Sequence, residues 1–317
     1  MKIGFIGLGN VGGKLAGSLQ RNGFDLIVRD LDHTLVEPFL ATGATFSETP
    51  KAMAQAADII ITCLPSPAAS AAVMETEDGV LAGLSDGKIW LEMSTTDEAE
   101  VRRLGALVEA AGAVAMDSPV SGGCHRAATG NISIFAGGER AAFETVLPVL
   151  TAMGRRILHT GPLGSASILK VVTNYLATAN LVSLGEALTV AKKAGMDLTT
   201  TYEAIRISSG NSFVHETESQ VILNGSYNIN FTMDLVLKDM GLFQSVADRA
   251  GVKLELSPLF LDIFADGQER YGARAWSPMI VKRLEDVCGT DLRAPGFPPE
   301  MIDTEPEEPG AEVVHGG

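Results

Sequence analysis

Apolar residues follow two different rhythms along this chain. Through roughly its first half they come in short runs separated by amphipathic stretches: KIGFI at 2–6, DLIVR at 25–29, IIITCL at 59–64, and further runs at 88–92, 114–116, 132–136 and 156–159. Runs of this length bounded by turn residues predict strands, and the unbroken apolarity of IIITCL is that of a strand covered on both faces. Between them, helical periodicity marks 97–111 and 140–153. Ser66-Pro67 supplies an N-cap and a first-turn proline for another helix, and Asp97, Glu98 and Glu100 sit in the first turn of 97–111, where the helix dipole favours negative charge. Alternating strand and helix predicts an α/β domain built on a parallel, doubly wound sheet.

The second rhythm begins with residues 163–195, LGSASILKVVTNYLATANLVSLGEALTVAKKAG. The stretch lacks proline, its apolar positions recur at three and four, Ser165 and Ser167 mark a start, and Lys192, Lys193 and Gly195 mark a stop. One helix is predicted, roughly 40 Å long at 1.5 Å per residue, enough to carry contacts to more than one body. Lys170 and Asn174 are four apart and so share a face; on the helix alone, a structural pair and a chemical pair are equally good readings. Helical segments at 197–208, 213–224, 231–250, 257–270 and 276–288 follow without strands. From Ala294 the chain turns to proline and glutamate, with Glu300, Asp303, Glu305, Glu307, Glu308 and Glu312 and no lysine or arginine. Such a tail cannot bury enough apolar surface to fold alone and is expected to be mobile or draped on the surface. The expected organisation is residues 1–162, a helical domain at 163–293 that includes the long interdomain helix, and a tail at 294–317.

Composition narrows the partners. A chain of 317 residues with 46% hydrophobic content fills the cores of two domains, and a net charge of −15 speaks against nucleic acid or an anionic membrane. The long helix is no membrane span, because Lys170, Asn174, Asn180, Ser183 and Glu186 interrupt it. Cys63, Cys124 and Cys288 are odd in number and unpaired in spacing, and the chain opens directly on a strand; both point to a reducing, cytoplasmic setting without a disulfide framework. The histidines lack metal-ligand spacing, so no metal is expected. Small molecules remain.

Candidate chemistry starts at the first turn. KIGFI runs straight into Gly7-Leu8-Gly9-Asn10-Val11-Gly12 and an amphipathic helix, and DLIVR ends at Asp30. Strand, GxGxxG turn and helix, followed by an acid at the end of the second strand, form the dinucleotide fingerprint of a Rossmann-type domain: a tight turn, close approach to the pyrophosphate, and a carboxylate for the ribose hydroxyls. Asp30 read alone is also compatible with a solvated turn residue. Ligands in such sheets lie beyond the carboxyl ends of the strands, where Leu64, Pro65 and Ser94 to Thr96, Thr95 among them, also fall. Asp117-Ser118-Pro119-Val120-Ser121-Gly122-Gly123 is either a plain turn or a hydroxyl with exposed backbone N–H groups suited to a carboxylate.

With Gly161-x-x-Gly164, Lys170 and Asn174 added, the chain resembles the β-hydroxyacid dehydrogenase family over nearly all of residues 1–290. The resemblance rests on GLGNVG, on DSPVSGG with AATGNISIFAGG, on GPLGSASILKVVTN, and on LVLKDMGL with its Lys238-Asp239. It implies that Lys170 is the catalytic acid/base, that Asn174 helps hold substrate, that Ser121, Gly122 and Gly123 grip a carboxylate, and that Lys238 lies by the nicotinamide. Independently, a lysine cation suits interconversion of alkoxide and carbonyl. The implied reaction is NAD-dependent interconversion of a small 3-hydroxy acid of the 3-hydroxyisobutyrate kind and its aldehyde. The alternatives are an imine or ketone reductase, against which Lys170 counts, and a dinucleotide-binding protein without turnover. Some residues depart from the family's pattern. Ala166 and Thr173 replace a usual glycine and asparagine, and Arg126 stands where a small residue is usual. Arg126 either faces solvent or reaches a second anionic group on a larger substrate, and His125 is a lesser acid/base candidate. Asp30 repels a 2′-phosphate, so NAD is expected over NADP, with Arg29 as the complication. Small residues along the long helix predict a homodimer or homotetramer through 163–290.

Overall fold

The computed structural model describes residues 1–314, and the chain divides into two compact units, residues 1–170 with 303–314 and residues 171–302. Among the described residues of the first unit, ten strands form one sheet: β1 (Lys2–Ile6), β2 (Asp25–Arg29), β3 (Thr45–Phe46), β4 (Ile59–Thr62), β5 (Ile89–Glu92), β6 (Val114–Asp117), β7 (Val120–Ser121), β8 (Ile132–Gly137), β9 (Gly154–Gly161) and β10 (Ala311–Glu312). Their order is β10-β9-β8-β6-β5-β4-β1-β2-β3, with β7 paired to β8. From β3 through β6 every pairing is parallel, as the alternating pattern predicts. The sheet then reverses once, because β8 runs antiparallel to β6 through Asp117 and Gly137. That pairing turns the backbone around the Ser121–Gly123 loop.

Both faces of the sheet are covered, which explains the continuous apolar runs. Ile3, Phe5, Leu26, Val28, Ile59, Ile61 and Leu91 point into one core, and Ile6, Ile27, Ile60 and Trp90 point into the other. Burying side chains of this size stabilises by about 1.5–3 kcal/mol each. Ser66 caps its helix by accepting from the Ala69 N–H. Asp97 is the cap itself, accepting from the Ala99 and Glu100 N–H groups, and only Glu98 and Glu100 lie in the first turn. Short helices at His33–Ala41, Pro50–Ala56 and Cys124–Ala128 and the two-residue strands escape a reading based on periodicity, being too short to show a period.

The long helix spans Ser165–Lys193. It passes from one unit to the other, with Lys170 closing the first and Val171 opening the second. The second unit is helical: Leu198–Arg206, Phe213–Asn224, Met233–Arg249, Ser257–Tyr271 and Lys282–Cys288, the last preceded by a 3-10 turn over Ser277–Val281 where the sequence predicts one continuous helix. Its core gathers Leu181, Leu188, Ile222, Met233, Phe264 and Ile280. Among the described residues, no helix is long and apolar enough to cross a membrane.

The acidic tail is divided between the units. Residues 303–314 lie along the first, where β10 adds to β9 in parallel. Its acids meet a row of arginines: Glu305 with Arg126 at 3.5 Å, Glu307 with Arg21 at 3.2 Å, Glu308 with Arg155 at 2.6 Å and Glu312 with Arg140 at 2.6 Å. Asp303 accepts from Thr129 and, at 2.8 Å, from Asn131. Each exposed pair is worth little alone, about 0–1 kcal/mol, but together they fix a segment that has no core of its own.

Candidate active site

The glycine loop shows why its spacing is what it is. Gly7 has φ +97°, and a Cβ there would lie 2.2 Å from the Cys63 carbonyl oxygen. A Cβ on Gly12 would lie 2.0 Å from the Gly7 oxygen, so these two glycines let β1, β4 and the helix Gly12–Arg21 meet closely. At Gly9 a Cβ would meet no atom within 4 Å. The middle glycine therefore faces open space at the start of a helix with no acid in its first turn, which suits a pyrophosphate. Asn10 is exposed and Val11 half-buried beside it.

Asp30 at the end of β2 binds this loop directly. Its Oδ2 accepts from the Leu8 N–H at 2.6 Å and its Oδ1 from the Asp32 N–H at 2.9 Å. The carboxylate is thus a fixed anion next to the loop, with lone pairs remaining for hydroxyl donors. Arg29 points elsewhere: its guanidinium donates to the Ser47 carbonyl at 3.0 Å and to the Glu48 carbonyl, and it stands 6.0 Å from the Phe46 ring centre.

The loops after β4 and β5 are joined through one acid. The Leu64 N–H donates to Ser94 Oγ at 2.7 Å, and both the Ser94 N–H and its hydroxyl donate to Glu92 Oε1. Glu92 is 1% exposed, and burial pushes its carboxyl above the ordinary range against the pull of the Ser94 bonds. This ordering chain brings Leu64, Pro65 and Thr95 to the carboxyl edge of the sheet. Glu92 itself is absent from the residues expected from sequence, although an acid ending the apolar run IWLE is a visible signal.

Ser121 ends β7, paired with Ser133. Gly122 and Gly123 follow with φ +128° and +88°, a conformation open to glycine and costly for other residues, and lead into the helix Cys124–Ala128. The Arg126 stem passes over Gly122, with its Cδ 3.5 Å from a Cβ built there, and its guanidinium pairs with Glu305. Burial first, and then the neighbouring Arg126, push the His125 imidazole below its usual value, so it is neutral near pH 7.

Lys170 is 8% exposed, in the second turn of the long helix. In the second unit, Asn174 donates from Nδ2 to Asp239 Oδ2 at 2.5 Å, and Lys238 Nζ lies 3.0 Å from Asp239 Oδ1, a close ion pair without hydrogen-bond alignment. Asp239 is 3% exposed. The structure therefore gathers Asn174 and Lys238 around an acid that appears in the sequence only as part of the Lys238-Asp239 motif.

Comparison with known proteins decides the family. Residues 2–161 match the model described as the NAD binding domain of 6-phosphogluconate dehydrogenase, and residues 164–284 that described as NAD-binding of NADP-dependent 3-hydroxyisobutyrate dehydrogenase. The chain belongs to the β-hydroxyacid dehydrogenase family. It is 33% identical to 2-(hydroxymethyl)glutarate dehydrogenase of Eubacterium barkeri over 92% of this chain and 97% of that one. To the NAD-dependent L-serine dehydrogenase of Pseudomonas aeruginosa it is 32% identical over 83% and 91%. The structure of Mycobacterium tuberculosis 3-hydroxyisobutyrate dehydrogenase with L-serine superimposes with a TM-score of 0.80 at 25% identity, covering 89% of this chain and 98% of that one. As a member of this family the chain is a nicotinamide-dinucleotide-dependent oxidoreductase acting on CH–OH groups.

Proposed function

We propose that the enzyme interconverts the primary alcohol of a small 3-hydroxy acid and the corresponding aldehyde, with Lys170 as the proton-transfer group and NAD preferred over NADP. The observation that carries the reading is Lys170 itself, a lysine buried to 8% exposure on the helix that follows the carboxylate-type loop Ser121–Gly123. A lysine amine can accept the hydroxyl proton, and the ammonium it becomes stabilises negative charge on the substrate oxygen. The named activities of the relatives fit this chemistry: 2-(hydroxymethyl)glutarate, L-serine and 3-hydroxyisobutyrate each carry a hydroxymethyl group on the carbon next to a carboxylate.

In this reading Gly7 to Gly12 and Asp30 hold the dinucleotide, whose nicotinamide supplies the hydride acceptor or donor when bound. Ser121, Gly122 and Gly123 hold the substrate carboxylate. Lys170 Nζ takes the hydroxyl proton as the carbinol carbon gives up its hydride, and returns it in reduction. Asn174, oriented by Asp239, positions the reacting oxygen, and Lys238 stands by the nicotinamide. The fixed Asp30 carboxylate and the engaged Arg29 favour NAD. Arg126, whose stem passes over Gly122 and whose guanidinium pairs with Glu305, is the residue for a second anionic group on a larger substrate. The cysteines Cys63, Cys124 and Cys288, none of them in a disulfide, suit a cytoplasmic enzyme, and the small residues along the long helix suit a dimer or tetramer, which light scattering at micromolar concentration tests.

Lys170→Ala decides the assignment. It is expected to lower kcat by about 10²–10⁴-fold while leaving NAD affinity and melting temperature close to wild type, and Asn174→Ala to cost less and to act partly through KM. Near-normal turnover in a less stable Lys170→Ala protein would end the claim. A panel of 3-hydroxy acids with either cofactor tests substrate and cofactor choice.

A further inference from the structure

Several helices here are capped from within, by the residue just before their first turn: Thr49, Ser66, Asp97, Asp197 and Ser212 each accept from an N–H of their own helix. A local cap satisfies free N–H groups but says nothing about where the helix lies in the fold. The long helix that carries Lys170 has a different arrangement. Asp117, at the end of β6 and 0% exposed, reaches it from 47 and 50 residues away in sequence. Its Oδ1 accepts from the Gly164 N–H at 2.8 Å, and its Oδ2 accepts from both the Ser167 N–H and the Ser167 hydroxyl at 2.7 Å. Burial pushes the Asp117 carboxyl above its usual value, and the three donors on its two oxygens pull the other way, as does its place at a helix N-terminus, where the dipole favours an anion.

The acid is also held from its own side. Asp117 pairs with Gly137 across the antiparallel step, and a Cβ at Gly137 would lie 2.4 Å from Asp117 Oδ1, so the carboxylate occupies space that only a glycine on β8 leaves open. Four residues on in the same segment comes Ser121, followed by Gly122 and Gly123. Lys170 lies three residues beyond Ser167, hence on the same side of the helix, with Cβ atoms about 5–6 Å apart. One buried carboxylate thus ties the end of β6, four residues before Ser121, to the start of the helix that carries the lysine.

We propose that Asp117 is a positioning residue for catalysis, whose carboxylate sets the height and rotation of the Lys170 helix relative to the Ser121–Gly123 loop. The proposal rests on Lys170 being the proton-transfer group. Displacements of about 1 Å in such constellations can cost about 10²-fold in rate.

Asp117→Asn keeps the shape but turns an NH2 toward one of the donors, so the helix must shift to relieve a donor facing a donor. The expected result is a fall in kcat of about 30-fold or more, NAD affinity within about twofold, and KM changed less than kcat. Ser167→Ala, which removes one donor and leaves two, is the milder test and is expected to lower kcat about 3–10-fold with little loss of melting temperature. Each is then combined with Lys170→Ala. Because Asp117 acts through Lys170, neither substitution is expected to reduce the residual turnover of the Lys170→Ala enzyme further. A strongly impaired Lys170→Ala enzyme whose residual turnover falls by the same factor again in the double variants would overturn the positioning role and leave the lysine's role standing. So would Asp117→Asn and Ser167→Ala proteins that melt earlier with kcat unchanged. An active Lys170→Ala enzyme would remove the functional reading and, with it, this proposal. Should Asp117→Asn fail to fold, Ser167→Ala, alone and combined with Lys170→Ala, separates the same outcomes.

Discussion

The two units hold their polar groups in different ways. In the first, functional positions are set by backbone and by acids that accept from backbone donors: Gly7 and Gly12 by close approach, Asp30 by the Leu8 and Asp32 N–H groups, Glu92 by Ser94, and Asp117 by Gly164 and Ser167. In the second, Asn174, Lys238 and Asp239 hold one another side chain to side chain. Parallel strands end at one edge, so their terminal acids find neighbouring loops already within reach. A helical unit has no such edge, and its polar groups meet only where two helix faces are packed together. Changes to the glycine loop should therefore damage folding and cofactor binding together, whereas changes to the second unit's network should affect the reaction more than the fold.

The hardest test of that contrast is Gly7→Ala. With φ +97° and a Cβ 2.2 Å from the Cys63 oxygen, the substitution combines backbone strain with a clash against main chain. Stability should fall by about 3 kcal/mol or more, and NAD binding should be lost along with it. A Gly7→Ala protein that melts normally and binds NAD would break the distinction at its strongest point. Next comes Asp239→Ala, which frees Asn174 and Lys238 from their common anchor. It should lower kcat/KM by about 10–100-fold with a smaller change in melting temperature. Equal losses of stability and rate would place that acid with those of the first unit.

Asp30→Ala sharpens the cofactor side. It removes an acceptor for the Leu8 N–H as well as the ribose partner, so NAD affinity should drop by about tenfold and the preference for NAD over NADP should shrink, as read by kcat/KM with each cofactor. An unchanged preference would move selectivity elsewhere.

A test by pH concerns Glu218, on the helix Phe213–Asn224. The residue is half-buried, but its Oε2 is sealed from solvent without a hydrogen-bond partner, and burial pushes its carboxyl up to about 8. Its pKa in the folded chain is above the unfolded value, so the fold favours the protonated form. The group then costs stability progressively as pH rises from about 4.5 to about 8, and the cost levels off above that. Glu218→Gln should accordingly melt later than wild type by an amount that grows over this window. A constant difference across pH would show that Glu218 does not titrate there.

The apolar rhythm alone determined most of the architecture. Period-two and continuous runs marked seven of the strands, the three-four period marked the long helix and the helical unit, and GxGxxG with Asp30 located the dinucleotide loop, because all of these are written in contiguous residues. Contacts between distant residues are not written that way, and only the tertiary structure decided them. The reversal of the sheet at Asp117 and Gly137, the capping of the long helix by Asp117, the link from Glu92 through Ser94 to Leu64, and the engagement of Asn174 by Asp239 each join residues that local periodicity leaves unrelated. The acidic tail makes the same point. Its composition reads as unable to fold alone, and its place along the first unit depends on arginines at 21, 126, 140 and 155 whose alignment exists only once the sheet has formed.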